Sequence, residues 1–240
     1  MGKEMKPKNW AKILGVVALL AVTVAVAAEV TKPVCGTWRY KLTVNVDTPE
    51  GMKSGSAVRE AEICLADHLA PEAPDVDIKP RGEAVVIDLG KRGALFVLTA
   101  FGDYQLLISA FPRPLALTEE GLRYYENLKA KTTLKPEQYP QIVMFKDIND
   151  PKSVVLVKGW HFDVQKQEQV PVDNFNTFFG NEVKLKEIVI ETTDEPVTWF
   201  VEKYLFWLTR LKGGYLHGGF TSGDAPLGLH GGNFKNGEIK

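Results

Sequence analysis

The apolar and polar positions of the chain change rhythm several times, and each rhythm predicts an element. Tyr40, Leu42, Val44 and Val46 alternate with Lys41, Thr43 and Asn45, the period-two pattern of a strand with one face buried and the other wet. Thr48-Pro49-Glu50-Gly51 is turn chemistry, so a strand returning from Met52 closes a hairpin. Leu65 to Arg81, interrupted by Pro71, Pro74 and Pro80, reads as a surface loop. Two apolar runs follow, Ala84 to Leu89 and Ala94 to Phe101. Gly90-Lys91-Arg92-Gly93 lies between them, which predicts a second hairpin. Tyr104 to Phe111 continues that meander as a third strand.

Thr118-Glu119-Glu120 opens a helix reaching about Ala130, with a capping hydroxyl and acids in its first turn, and Pro136 to Pro140 closes it off. Gln141 to Lys146 and Ser153 to Lys158 flank Asp147-Ile148-Asn149-Asp150-Pro151, a strand, a turn and a strand. Residues 160 to 181 carry no regular period, whereas Val183 to Thr192 alternates as a long strand. Asp194-Glu195-Pro196 reads as a helix start. Phe200, Tyr204, Trp207, Leu208 and Leu211 then recur at helical spacing to Lys212, where Gly213-Gly214 ends the run. The class implied is α+β: an antiparallel sheet of hairpins and meanders packed by one or two helices.

A different rhythm precedes all of this. Lys3, Lys6, Lys8 and Lys12 lead into Ile13 to Ala28, 16 residues without a charge, and Ala25-Val26-Ala27 supplies the small-x-small pattern read by signal peptidase. The expected hydrophobic helix is a signal peptide or, uncleaved, a membrane anchor. At about 24 Å it is short for a hydrocarbon core of about 30 Å, although Trp10 and the lysines suit the interface. Cleaved, the protein is periplasmic or secreted; retained, it is a single-pass inner-membrane protein with everything after residue 28 outside the cytoplasm. The organisation expected is therefore a leader at 1–28, a β-rich domain at 29–211 and a glycine-rich arm at 212–240.

Charge narrows the partners. The chain carries 29 basic and 30 acidic groups, a net of -1, so no summed field holds a polyanion and nucleic acid is excluded as a partner class. Removing residues 1–27 takes four lysines and one glutamate and leaves 25 basic against 29 acidic groups, a net of -4. Any grip on a membrane then comes from residues 13–28.

Export makes a disulfide the favoured state of the two cysteines, with a buried thiol as the competing reading. If the first hairpin turns at residues 48–51, opposed residues have numbers summing to 99, as those of Cys35 and Cys64 do. The same register sets Arg39 opposite Glu60 and Thr43 opposite Ser56.

Signs of catalysis fail in turn. The chain has no Gly-x-Ser-x-Gly elbow, no Ser-x-x-Lys, no His-Glu-x-x-His and no Cys-x-x-Cys, and Val85 stands where a phosphate loop needs its first glycine. The acids from Asp75 to Asp194 offer no pair at a recognisable spacing. Four histidines remain. His68 falls in the proline-rich loop, and His161 and Asp163 share one strand face, a surface hydrogen bond in preference to a metal site. In the tail, Leu216-His217-Gly218-Gly219-Phe220 is echoed by Leu229-His230-Gly231-Gly232-Asn233-Phe234. This arm reads as tacked down by its leucines and phenylalanines, as a partner-binding arm, or as a histidine metal clip. Trp199 and Phe206 lie off the aromatic stripe of the last expected helix, which itself packs on the sheet, so they are the candidates to meet a partner or a membrane surface.

WRYKLTVNVDTPEG at 38–51, GEAVVIDLGKRGALFVL at 82–98 and IVIETTDEPVTWFVEKYLFWL at 188–208 together resemble a group of exported proteins of Gram-negative bacteria to which no activity is assigned. The resemblance implies bacterial export and carries over no functional residue. Some of that group look like lipoproteins, but Lys32-Pro33-Val34-Cys35 lacks the small residue expected before a lipidated cysteine. The expectation is a non-catalytic envelope protein without a cofactor or metal, working through contacts with another envelope or membrane protein at Trp199, Phe206, His217 and His230. The alternative is a periplasmic hydrolase or metal-binding enzyme built on His161, Asp163, His217 and His230.

Overall fold

The computed structural model describes residues 33–65, 76–99, 103–163, 166–211, 214–216 and 228–237. The expected leader helix at 13–28 lies outside them, as do His68 and His217. Two antiparallel sheets face each other. The first holds β1 (Cys35–Asp47), β2 (Lys53–Leu65), β3 (Val76–Glu83), β6 (Lys131–Thr133), β10 (Lys184–Thr192) and β11 (Lys235–Asn236), in the order β11-β3-β2-β1-β10-β6. The second holds β4 (Val85–Asp88), β5 (Ala94–Val97), β7 (Ile142–Phe145), β8 (Val154–Asp163) and β9 (Glu168–Asp173), in the order β4-β5-β7-β8-β9. Three α-helices are described, α1 (Asp103–Ala110), α2 (Glu119–Asn127) and α3 (Phe175–Phe179). The α+β class read from the sequence holds.

The first hairpin runs in one unbroken register from Val46 opposite Lys53 to Cys35 opposite Cys64, and the two cysteines are bridged. A bridge of this kind belongs to an oxidising compartment outside the cytoplasm. On the same outer face Glu60 lies between Arg39 and Arg81, 2.6 Å from each, with its side chain 8% exposed. The inner face of β1 is apolar throughout, from Trp38 to Val46. Its core also takes Ile63 of β2, Ile188 and Ile190 of β10 and, from the second sheet, Val85, Ile87, Leu95 and Val97. The sheets come close at Gly55, where a Cβ would stand 2.0 Å from the carbonyl oxygen of Val86.

The helix after Thr118 forms with the expected cap: the Thr118 hydroxyl accepts from the Gly121 N–H at 3.2 Å. It lays Leu122 and Tyr125 on β1, where Gly36 leaves room; a Cβ there would come within 2.8 Å of Leu122 Cβ.

Three expectations are overturned. Tyr104 to Ala110 lies in helix α1 and is not a strand, because its run of apolar residues packs through Leu107 with Leu106, Ile108 and Ala110 in support; a short run does not separate the two periods. Val76 to Arg81 belongs to strand β3 and pairs with β2, Pro80 lying opposite Ala61. Among the described residues no strand pairs with its outer edge at Pro80, since β11 pairs only with Glu83 and Gly82, and such an edge tolerates a residue with no N–H. Residues 194 to 212 form no α-helix over the described part of the span. They make an irregular strap with 3-10 turns at Val201–Lys203 and Leu208–Arg210.

That strap explains the second sheet. Leu95, Phe96 and Val97 are all buried, so β5 is covered on both faces, as its unbroken apolar run requires. Leu95 and Val97 face the first sheet, while Phe96 joins Val143, Phe145 and Leu156 under Val201, Leu205, Trp207 and Leu208 of the strap. Leu216, Leu229 and Phe234 complete this second core.

Candidate functional site

The strap is held by polar anchors at its ends and middle. Thr193 N–H donates to the Arg39 carbonyl at 3.1 Å, and Thr198 exchanges bonds with Val58 through its N–H at 3.2 Å and its hydroxyl at 3.1 Å. Beyond these, the carboxylate of Glu83, only 2% exposed, accepts from the backbone N–H groups of Phe200 and Val201, the latter at 2.6 Å. Further along, the Trp207 indole N–H donates to the Ile148 carbonyl at 2.8 Å, and its ring meets Phe145 edge-on at 5.4 Å.

Anchored this way, the strap sorts its side chains by face. Val201, Leu205, Trp207 and Leu208 are buried, while Phe200, Tyr204 and Phe206 are 54%, 38% and 52% exposed. Lys203 places its ammonium 4.7 Å over the Phe200 ring. Three aromatic rings within seven residues thus face outward on a segment whose backbone is pinned from below. Sequence spacing put Phe200 and Tyr204 on the inward stripe; the 3-10 turns and the Glu83 anchor rotate them out.

Of the residues singled out from the sequence, Phe206 lies on this outward face. Trp199 is half-buried, with the Lys235 ammonium 5.5 Å over its ring and Glu202 2.9 Å from that ammonium. His230 caps a 3-10 turn at Gly231–Asn233: its Nδ1 accepts from Gly232 N–H at 3.1 Å, and its ring meets Tyr215 edge-on at 6.1 Å. His161 and Asp163 stand on β8 opposite Val170 and Glu168, and only their backbone is described. Among the described residues no group of three or more His, Cys, Asp or Glu could hold a metal ion, and no helix is long and apolar enough to cross a membrane.

Clefts elsewhere on the surface include two that bear on function. A notch of about 150 Å³ above Trp38 and Tyr125 is rimmed by ion pairs, Arg39 with Glu60 and Lys129 with Asp194. Lys129 donates to both Asp194 oxygens at 2.8 Å and holds that carboxyl below its usual range. A larger cleft of about 490 Å³ lies between Pro136–Tyr139 and the β8–β9 hairpin. No protein-family model, curated protein or solved structure matches the chain.

Proposed function

We propose that this is an exported cell-envelope protein that acts by contact with another envelope or membrane protein, using Phe200, Tyr204 and Phe206 as its contact face. The observation that supports it most is the pairing of exposure with rigidity: three outward rings sit on a strap fixed by Glu83 and Trp207. Exposed aromatic groups on a fixed backbone bind with little ordering cost, the property that places such residues among interface hot spots. Export supplies the compartment in which the Cys35–Cys64 bridge persists, and residues 13–28 supply the route, with kinship to exported proteins of Gram-negative bacteria as the accompanying expectation.

The test is chemical crosslinking of the tagged protein in intact cells, with mass measurement of the captured species and of the protein's own N-terminus. One partner band is expected, lost in the Phe200→Ser/Phe206→Ser variant while the melting temperature stays within about 2 °C, because these side chains are largely exposed. Capture that survives the double substitution overturns the assignment of the face. A full-length, reduced chain in the cytosol overturns the export reading.

A further inference from the structure

The larger cleft has a chemistry of its own, separate from the strap. Its walls carry rings: Pro136 and Tyr139 on one side, Trp160 and Pro171 on the other. Trp160 and Pro171 are directly opposed across β8 and β9, so their side chains share a face. Trp160 is 38% exposed, far more than a ring placed only for packing.

Both walls are fixed before anything binds. Gln141 donates to the Trp160 carbonyl at 3.0 Å, and the Lys158–Asp173 ion pair ties β8 to β9 beside it. On the other side the Lys135 N–H donates to the Gln138 side chain at 2.8 Å, and that side chain donates to the Ser109 carbonyl of α1 at 2.7 Å. A preformed groove of this volume falls in the range of ligand sites.

Its polar groups are donors and acids. Neither the Trp160 indole N–H nor the Tyr139 hydroxyl has a hydrogen-bond partner among the described residues. Burial, with Glu187 nearby, pushes the Tyr139 hydroxyl above the usual phenol range and keeps it a donor. Glu137 lines the groove with no cationic partner among the described residues, while the Lys158 and Asp173 charges cancel. The ligand that fits offers flat apolar rings, carbonyl acceptors without N–H donors, and positive charge. A polyproline II segment presents solvated carbonyls and pyrrolidine rings, and it is already extended, so it loses little entropy on docking.

We propose that this groove binds an extended, proline-containing segment of a partner polypeptide that carries a basic residue beside its prolines. The prolines stack between Trp160 and Tyr139, whose N–H and O–H donate to the segment's carbonyls, and Glu137 receives the basic side chain. The strand edge next to the groove does not add a ligand strand of its own, because Pro171 lacks the N–H that strand addition would use at that position.

The test is fluorescence anisotropy on the full chain with a labelled Arg-Pro-Leu-Pro-Pro-Leu-Pro peptide, against a Gly/Ser peptide of the same length and charge. Saturable binding of the proline peptide alone is expected. Trp160→Ala should weaken it about tenfold or more, and Tyr139→Phe by a few-fold. Glu137→Gln should weaken the arginine peptide and leave an arginine-free version unchanged. Trp160→Ala should melt with the parent protein, which separates loss of binding from loss of fold. Equal binding of both peptides, no saturation at millimolar peptide, indifference to Trp160→Ala, or displacement of the peptide by a chitin-type oligosaccharide at lower concentration would each overturn the proposal.

Discussion

The two sheets of this molecule solve the burial problem differently. The six-stranded sheet keeps one face dry and one wet, and its strands advertise this by strict alternation from Trp38 to Val46. Its cohesion is spread along a ladder of cross-strand pairs, closed by the Cys35–Cys64 bridge. The five-stranded sheet is dry on both faces at β5, and the cover on its second face is an irregular strap without a ladder. Cohesion there rests on apolar contact and a few buried hydrogen bonds, chiefly those of Glu83 and Trp207. A surface held by repetition loses little when one contact goes, while a cover held by a few anchors depends on each of them.

The sharpest way to break this contrast is Glu83→Ala, which leaves the Phe200 and Val201 N–H groups without their acceptor at a buried site. A loss of about 4 kcal/mol in urea unfolding is expected, with binding of a hydrophobic dye as the strap lifts from Phe96 and Phe145. A smaller loss than that from removing the disulfide would refute the claim that the cover hangs on few anchors. Next comes Cys35→Ser/Cys64→Ser, which opens a 29-residue loop. A cost of about 3 kcal/mol, with no gain in dye binding, is the expected outcome.

The smallest effect concerns Asp194, at the root of the strap. Lys129 lowers its folded pKa below the unfolded value, so the pair's contribution is present above the ordinary carboxylate range. It is lost as pH falls through the folded value. Asp194→Asn should therefore flatten the acid limb of the urea midpoint against pH below about pH 4, with little change at neutrality, because the pair is exposed. An unchanged acid limb would remove Asp194 from the anchors.

Much of the first sheet was legible because alternation, turn chemistry and cysteine spacing all point to one register. The second hairpin and the β7–β8 pair were equally open to reading, since each is a short apolar run flanked by turn residues. The strap was hidden. Phe200, Tyr204, Trp207, Leu208 and Leu211 imitate a helical stripe, yet the direction of each ring depends on where Glu83 seizes the backbone, a contact spanning more than a hundred residues. One signal for a cover is present in the sequence. Ala94-Leu95-Phe96-Val97-Leu98 is apolar without interruption, and such a strand calls for a second layer. The ring-lined groove was also illegible, because Tyr139 and Trp160 belong to different elements and only the opposition of Trp160 and Pro171 across β8 and β9 assembles it.

The bridge at the mouth of the first hairpin also sets how the molecule would carry mechanical load. Tension entering at residue 34 and leaving beyond residue 65 follows the shortest covalent path, through the two sulfurs, so the strands between them are spared. About 28 residues, roughly 100 Å of extensible chain, are withdrawn from any pull along the backbone. Were residues 13–28 to anchor the protein in a membrane, the first sheet would hang from that tether by a link that stretching cannot unzip.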